Sequence, residues 1–263
     1  MSLANPFLIS ALIAVLLTAI ATGVVGTLSV ANRMVSIGGG LAHAAYGGLG
    51  LAFLLGWTPL PVAILFTLFF ALALAWLQER VHEPSDTLTG VLWALGMAIG
   101  ILCIDLSRRY AGDLNAILFG SLLAIPREDL VVLGILDCLL VPAAALFRRS
   151  LLALALDREF AEVSGLPVRA LRIGLLVAVS LSVVLLMRVV GLVLMVALLS
   201  IPGSLSLRWS RSLGRAMLLS GVLTLVFGLA GLWLSWRFDL SSGAAIIAVA
   251  GVIYLIATLR SRK

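Results

Sequence analysis

Apolar residues run along this chain in blocks of about 20, broken by short polar stretches, with neither the alternation of a half-buried strand nor the polar face of a surface helix. A helix needs ~20 mostly apolar residues to cross the hydrocarbon layer of a bilayer. Blocks of about that length cover 7–31, 39–56, 59–77, 88–106, 129–147, 170–188, 191–207, 214–236 and 243–259. They predict an all-α, polytopic transmembrane helical bundle. Only Arg188 and Gly191 mark the join between 170–188 and 191–207, so a single long broken helix would reduce nine spans to eight. Between the fourth and fifth blocks, 113–125 is apolar but too short to cross. It reads as a re-entrant or interfacial helix closed by Pro126. The leading residues, Met1-Ser2-Leu3-Ala4-Asn5-Pro6, carry no positive charge, so the first block reads as a span and not as a cleaved signal.

Composition removes the soluble alternatives. Of 263 residues, 62% are hydrophobic and 11% charged, whereas a soluble domain is about half apolar and about a quarter charged. The mean hydropathy is +1.21. So few charges cannot cover the outside of a soluble core, which excludes a soluble enzyme, a disordered chain and a nucleic-acid binder. The net charge of +6 has a different origin. With nine spans and the N-terminus outside, the inside collects Arg33, Arg80, Arg148, Arg149, Arg158, Arg169, Arg172, Arg208, Arg211, Arg215, Arg260, Arg262 and Lys263. The outside keeps Arg108, Arg109, Arg127, Arg188 and Arg237. Such a bias places loops and the C-terminus in the cytoplasm. Cys103 and Cys138 both fall in apolar stretches and read as buried free thiols. No composition shift or long linker divides the chain, so residues 1–263 read as one membrane domain.

Glycines cluster in two of the blocks: Gly38, Gly39, Gly40, Gly47, Gly48 and Gly50 in the second, Gly96 and Gly100 in the fourth. Small residues let helix backbones approach closely in lipid. Three consecutive glycines weaken a helix, so the start of the second span is expected to bend or unwind.

The longest polar island runs from Arg148 to Arg172. Within it, Asp157 is placed to cap a short helix over 157–165, Gly165 suits the residue just beyond its end, and Pro167 stops it. Phe160 and Val163 fall on one face, with Glu159 and Glu162 beside them. Two turns of helix are not stable alone, so this one either docks on a partner or lies on the bilayer surface.

Asp157, Glu159, Ala161 and Gly165 resemble the coupling helix of ABC importer permeases, and specifically of the family importing zinc, manganese or iron. Four further segments resemble that family in the same order: Asp86 to Trp93 at the cytoplasmic start of the fourth span, Ile117 to Leu123, Val190 to Leu194 with Ala197 to Pro202, and Asp239 to Ala244. The resemblance covers about residues 10 to 257. It implies a homodimer in the cell membrane, two cytoplasmic ATPase subunits and an extracytoplasmic metal-binding protein. Asp157, Glu159, Phe160, Ala161, Val163 and Gly165 would then contact the ATPase. ATP would be held by that partner, since no Gly-x-x-x-x-Gly-Lys-[Ser/Thr] occurs in the sequence. The chain itself would be no enzyme and would hold no cofactor; the metal would be its cargo.

Two residues inside spans are candidate ligands for that cargo. An ionisable side chain at membrane depth is costly and reads as functional by default. His43 follows the triple glycine, and neutral imidazole suits zinc and other borderline metals. The family pattern resembles Gly-Asp-x-x-Ser-His, yet this chain has Gly39 where the acid stands and Ala42 where the serine stands. Loss of the carboxylate favours zinc over the harder manganese ion. A histidine hydrogen-bonded in a helix interface is the alternative. Asp137 lies near the middle of the fifth span as a cation ligand or as the partner of an arginine such as Arg188; Asp105 ends the fourth. His82 sits in a polar loop and reads as solvated. Other classes fit less well. Permeases for metal chelates such as siderophores or cobalamin are usually longer. An intramembrane metalloprotease would need His-Glu-x-x-His, and the two histidines are 39 residues apart. An ion-coupled carrier would be expected to hold more acids at the midplane.

Overall fold

The computed structural model describes residues 6–81, 83–107 and 125–260. The interfacial segment expected at 113–125, apart from Ile125, lies outside the described residues, as do His82, Arg108 and Arg109. Elsewhere the chain is helical. α1 (Pro6–Ala21) passes through one π-helical turn (Thr22–Gly26) into α2 (Thr27–Ala31). Then come α3 (Val35–Leu55), α4 (Pro59–Arg80), α5 (Ser85–Ser107), α6 (Arg127–Leu146), α7 (Arg148–Leu156) and α8 (Arg158–Val163). The last four are α9 (Val168–Val190), α10 (Leu192–Trp209), α11 (Leu213–Phe238) and α12 (Ser242–Arg260). No strand is found among the described residues, and nine helical stretches there are long and apolar enough to span a membrane. The first is Ile9–Ala31, so α1, the π-turn and α2 make one span. The uncertain join resolves into two helices: Gly191 adopts φ 88°, a left-handed conformation that breaks α9 from α10.

The helices gather into two compact units, one holding α1, α2, α6–α8, α10–α12 and the last turns of α9, the other α3–α5 and most of α9. In the second unit α3 and α5 lie side by side and parallel. Matching positions run about 50 residues apart from one end to the other: Ser36 bonds Asp86, Gly40 meets Thr89, Gly47 meets Gly96 and Gly50 meets Gly100. A Cβ on Gly96 would come within 2.7 Å of the Ala44 Cα, and one on Gly100 within 2.8 Å of the Tyr46 carbonyl oxygen. Glycine is required here by proximity, because backbone cannot move aside. α4 runs back between the ends of α3 and α5 and packs on α3, where Gly48 faces Ala63.

The triple glycine does not unwind. Gly38, Gly39 and Gly40 are regular α-helix within α3. A glycine costs a helix about 1 kcal/mol, but an opened turn in hydrocarbon strands backbone N–H and C=O groups at several kcal/mol each. Gly40 also lets Thr89 approach: a Cβ there would lie 2.5 Å from the Thr89 methyl.

In the first unit α1 and α11 are antiparallel. Gly23 faces Gly221, Val15 faces Gly228, and the Thr22 and Thr224 hydroxyls meet at 3.0 Å. α2 runs parallel to α10, with Gly26 against Leu199 and Gly203. Cys103 is buried as expected, but Cys138 is exposed. Its neighbours Ile135 and Leu139 are exposed too, 58% and 64%. An apolar surrounding in sequence therefore did not mean a thiol buried within the chain.

The close α3–α5 seam makes a contrast. Gly50→Ala should lower stability by about 1–3 kcal/mol through overpacking. Gly39→Ala, with no atom within 4 Å of an added Cβ, should leave it unchanged or slightly raised. Thermal unfolding of the detergent-purified protein measures both.

Candidate functional site

The short helix in the polar island is fixed at both ends. Asp157 adopts an extended conformation and its carboxylate accepts the Phe160 N–H at 3.1 Å, capping α8. At the other end Gly165 takes φ 77°, its N–H donates to the Glu162 carbonyl at 3.0 Å, and the Leu166 N–H donates to the Ala161 carbonyl at 3.1 Å. That pair of bonds is a Schellman ending. Arg158 and Glu162 pair along the helix at 3.2 Å. Ala161 is fully buried, whereas Phe160 is 65% and Val163 89% exposed. The sequence pattern is therefore realised: a stiff six-residue helix holds two apolar side chains outward with Glu159 and Glu162 exposed beside them. The sequence did not reveal that the island begins with a helix of its own, α7, from which only Leu151 is buried.

A polar belt that the sequence reading missed lies in the other unit, where α4 ends and α9 begins. Arg169 pairs with Glu79 at 3.0 Å and Arg172 donates to Gln78 at 2.6 Å. The signal was available, since both segments carry their polar residues at the end expected in the cytoplasm.

His43 sits two turns along α3 from Ser36. Its ring stacks on Trp93 of α5, centroids 4.3 Å apart and planes 18° from parallel. Its Nδ1 is buried and meets no hydrogen-bond partner among the described residues. The expected alternative, a histidine hydrogen-bonded in a helix interface, is thus met only in part: the interface is there, the bond through Nδ1 is not. Beside Gly39 lies open space. Asp86, an acid of the facing helix, is held 2.7 Å from the Ser36 hydroxyl, and Ser36 stands seven residues, ~10 Å of helix rise, before His43.

Asp137 is buried in α6, and neither carboxylate oxygen meets a donor among the described residues. Arg188 does not serve it. That guanidinium pairs with Asp129 instead, at 3.0 and 3.2 Å. Asp105, at the end of α5, is exposed. His43 and Asp137 belong to different units. The described residues contain no group of three or more His, Cys, Asp or Glu side chains able to hold a metal. Among the described residues, His43 and Asp137 are thus candidate ligands taken singly.

A family model described as the ABC 3 transport family matches residues 4–261. This chain belongs to that family. The permease is therefore the membrane component of a transporter, and ATP hydrolysis belongs to another subunit. It is 44% identical to a membrane protein of Synechocystis over 95% of this chain and 89% of that one. It is 30% identical to the manganese transport system membrane protein MntC of Listeria innocua over 98% of this chain and 91% of that one. Against the high-affinity zinc uptake system membrane protein ZnuB of Haemophilus influenzae the identity is 27%, over 97% and 98%. Among solved structures, PsaBC from Streptococcus pneumoniae in complex with Fab matches at 28% identity and TM-score 0.85, covering 96% of this chain and 91% of that one.

Because the Asp157 carboxylate caps α8, Asp157→Ala should cost the helix about 1 kcal/mol. Amide exchange at 158–163 would speed up several-fold while the spans stay protected. Exchange unchanged there would mean that the cap does not hold the helix.

Proposed function

We propose that this permease carries a divalent transition-metal ion, zinc, from an extracytoplasmic binding protein into the cytoplasm, driven by ATP hydrolysis on a separate cytoplasmic subunit. The single observation that carries the reading is α8, whose outward Phe160 and Val163 have no purpose in water and are suited to a groove on a partner. Asp157, Glu159, Ala161 and Gly165 shape and hold that helix, so closure of the ATPases would move the spans attached to it as rigid bodies. All 263 residues serve one permease domain, paired with a second copy in the cell (inner or plasma) membrane, with the C-terminus cytoplasmic. The arginine bias supports this orientation. The contacts within each unit agree with the span count, since Arg172 with Gln78 and Ser36 with Asp86 in one, and Arg208 with Thr258 in the other, each join helix ends that nine spans put on one side.

A metal cargo is supported by the names of the manganese and zinc relatives. Zinc is favoured over manganese by the ligand type, because His43 offers imidazole where Gly39 withholds a carboxylate. Asp137 is a second stopping point for the ion, buried and without a donor among the described residues.

Vesicles holding this chain with its ATPase and binding protein should take up zinc only when ATP is present, and zinc faster than manganese or ferrous iron. Phe160→Asp should abolish uptake at normal expression, and His43→Ala should lower it at least several-fold while the complex still assembles. Full uptake by the first variant would remove α8 from coupling; no uptake of any free metal by the parent protein would favour a chelate as cargo. Gly39→Asp places a carboxylate one turn from His43 in space the structure leaves open, and should raise manganese uptake relative to zinc. A ratio unmoved by it would take position 39 out of the path.

A further inference from the structure

A groove of about 460 Å³ runs along the outside of the first unit between α1, α6 and α11. Its wall is aliphatic, from Leu16, Ile20, Leu218 and Leu225, and its floor is made of small residues such as Gly23 and Gly221. The π-helical turn passes through it at Gly23 and Val24. At one end stands Arg148, whose guanidinium nitrogen would be 3.0 Å from a Cβ on Gly214. The surroundings there are basic throughout. Arg149 follows Arg148, Arg211 and Arg215 flank Gly214, all four arginines are exposed, and neither 138–156 nor 205–238 contains an acid.

We infer that this groove seats an acyl chain of an anionic phospholipid from the leaflet at its arginine end, with the lipid phosphate on Arg148. Length supports the assignment: along α11 the groove runs from Gly214 to Leu225, a helix rise of ~16 Å, against about 15 Å for half of a bilayer's hydrocarbon. A groove for one leaflet's lipid should begin near one end of a span and stop near its middle, and Gly214 and Leu225 lie at the start and the middle of α11. Charge supports it as well, since basic pockets between spans on the cytoplasmic side take anionic headgroups. A second copy of the chain fits the same place poorly. Two-fold pairing on this face sets each patch against its twin at the same depth, so arginines would meet arginines with no acid between them.

The assembled transporter, permease with its ATPase, would be loaded into nanodiscs of equal parts phosphatidylglycerol and phosphatidylcholine, released, and weighed by native mass spectrometry. The parent protein should retain phosphatidylglycerol in preference to phosphatidylcholine. Arg148→Ala should cut the retained phosphatidylglycerol by about fivefold, the worth of one basic residue at an anionic surface, and Arg148→Lys should keep it. Ala145→Trp, which fills the groove from its wall, should remove it while leaving the assembly's mass otherwise intact. Equal retention of the two lipids, or retention unaffected by Arg148→Ala, overturns the proposal. Separation of the two copies by Ala145→Trp would make the groove an interface between chains and overturn it too.

Discussion

Inside a bilayer, apolar side chains gain nothing by hiding from one another, because the lipid is as apolar as they are. What holds two helices together there is closeness, and closeness needs positions without side chains. The α3–α5 seam is built on this constraint. Gly47 and Gly50 on one helix meet Gly96 and Gly100 on the other, near enough that any Cβ would strike backbone. The α1–α11 seam repeats the device with Gly23 and Gly221. Some hydroxyls in the spans are satisfied locally: Thr67, Thr89 and Ser200 donate to carbonyls one turn back in their own helices, whereas those of Thr18, Thr27, Ser29, Ser180, Ser182 and Ser220 meet no partner among the described residues. Of the ionisable groups in the spans, the His43 Nδ1 and the Asp137 carboxylate likewise meet no partner among the described residues.

The seam also determines what His43 can do. Parallel helices in tight register carry their residues at equal depth, so His43, eight residues into α3, meets Trp93, eight residues into α5. The stack leaves the ring little freedom to turn. One turn below, Gly40 on Thr89 closes the gap between the helices, and one turn above, Gly47 on Gly96 does the same. The imidazole is therefore oriented by the Trp93 stack between two close helix contacts, and its Nδ1 meets no hydrogen-bonding partner among the described residues.

The spans were legible because a hydrocarbon slab imposes one length on every crossing helix. The nine blocks read from the sequence differ from the observed helices by four residues at most, at the start of α3. The α8 cap was legible too, since Asp157 and Gly165 act on backbone atoms only a few residues away. What could not be read depended on which helices are neighbours. The triple glycine was judged by its cost in water, while its packing against Thr89 was out of sight. The π-turn at Thr22–Gly26 leaves no mark in hydropathy. Asp129 with Arg188 was within reach, because nine spans put the start of α6 and the end of α9 on the same side of the membrane.

A conduit needs its sites to bind less well than a storage site would. An ion held by several ligands enters easily and leaves slowly; conduction requires binding strong enough to admit it and weak enough to release it. His43 without an acid at Gly39 offers one imidazole, and Asp137 offers one carboxyl in another unit. Under the proposed function both are brief stops, and the ATPase stroke delivered through α8 decides direction. Selectivity then rests mainly with the protein that hands the metal over. Architecture and cargo thereby separate: the fold is set by helix closeness, whereas under the proposed function a few side chains in the spans only tune what the delivering protein hands over.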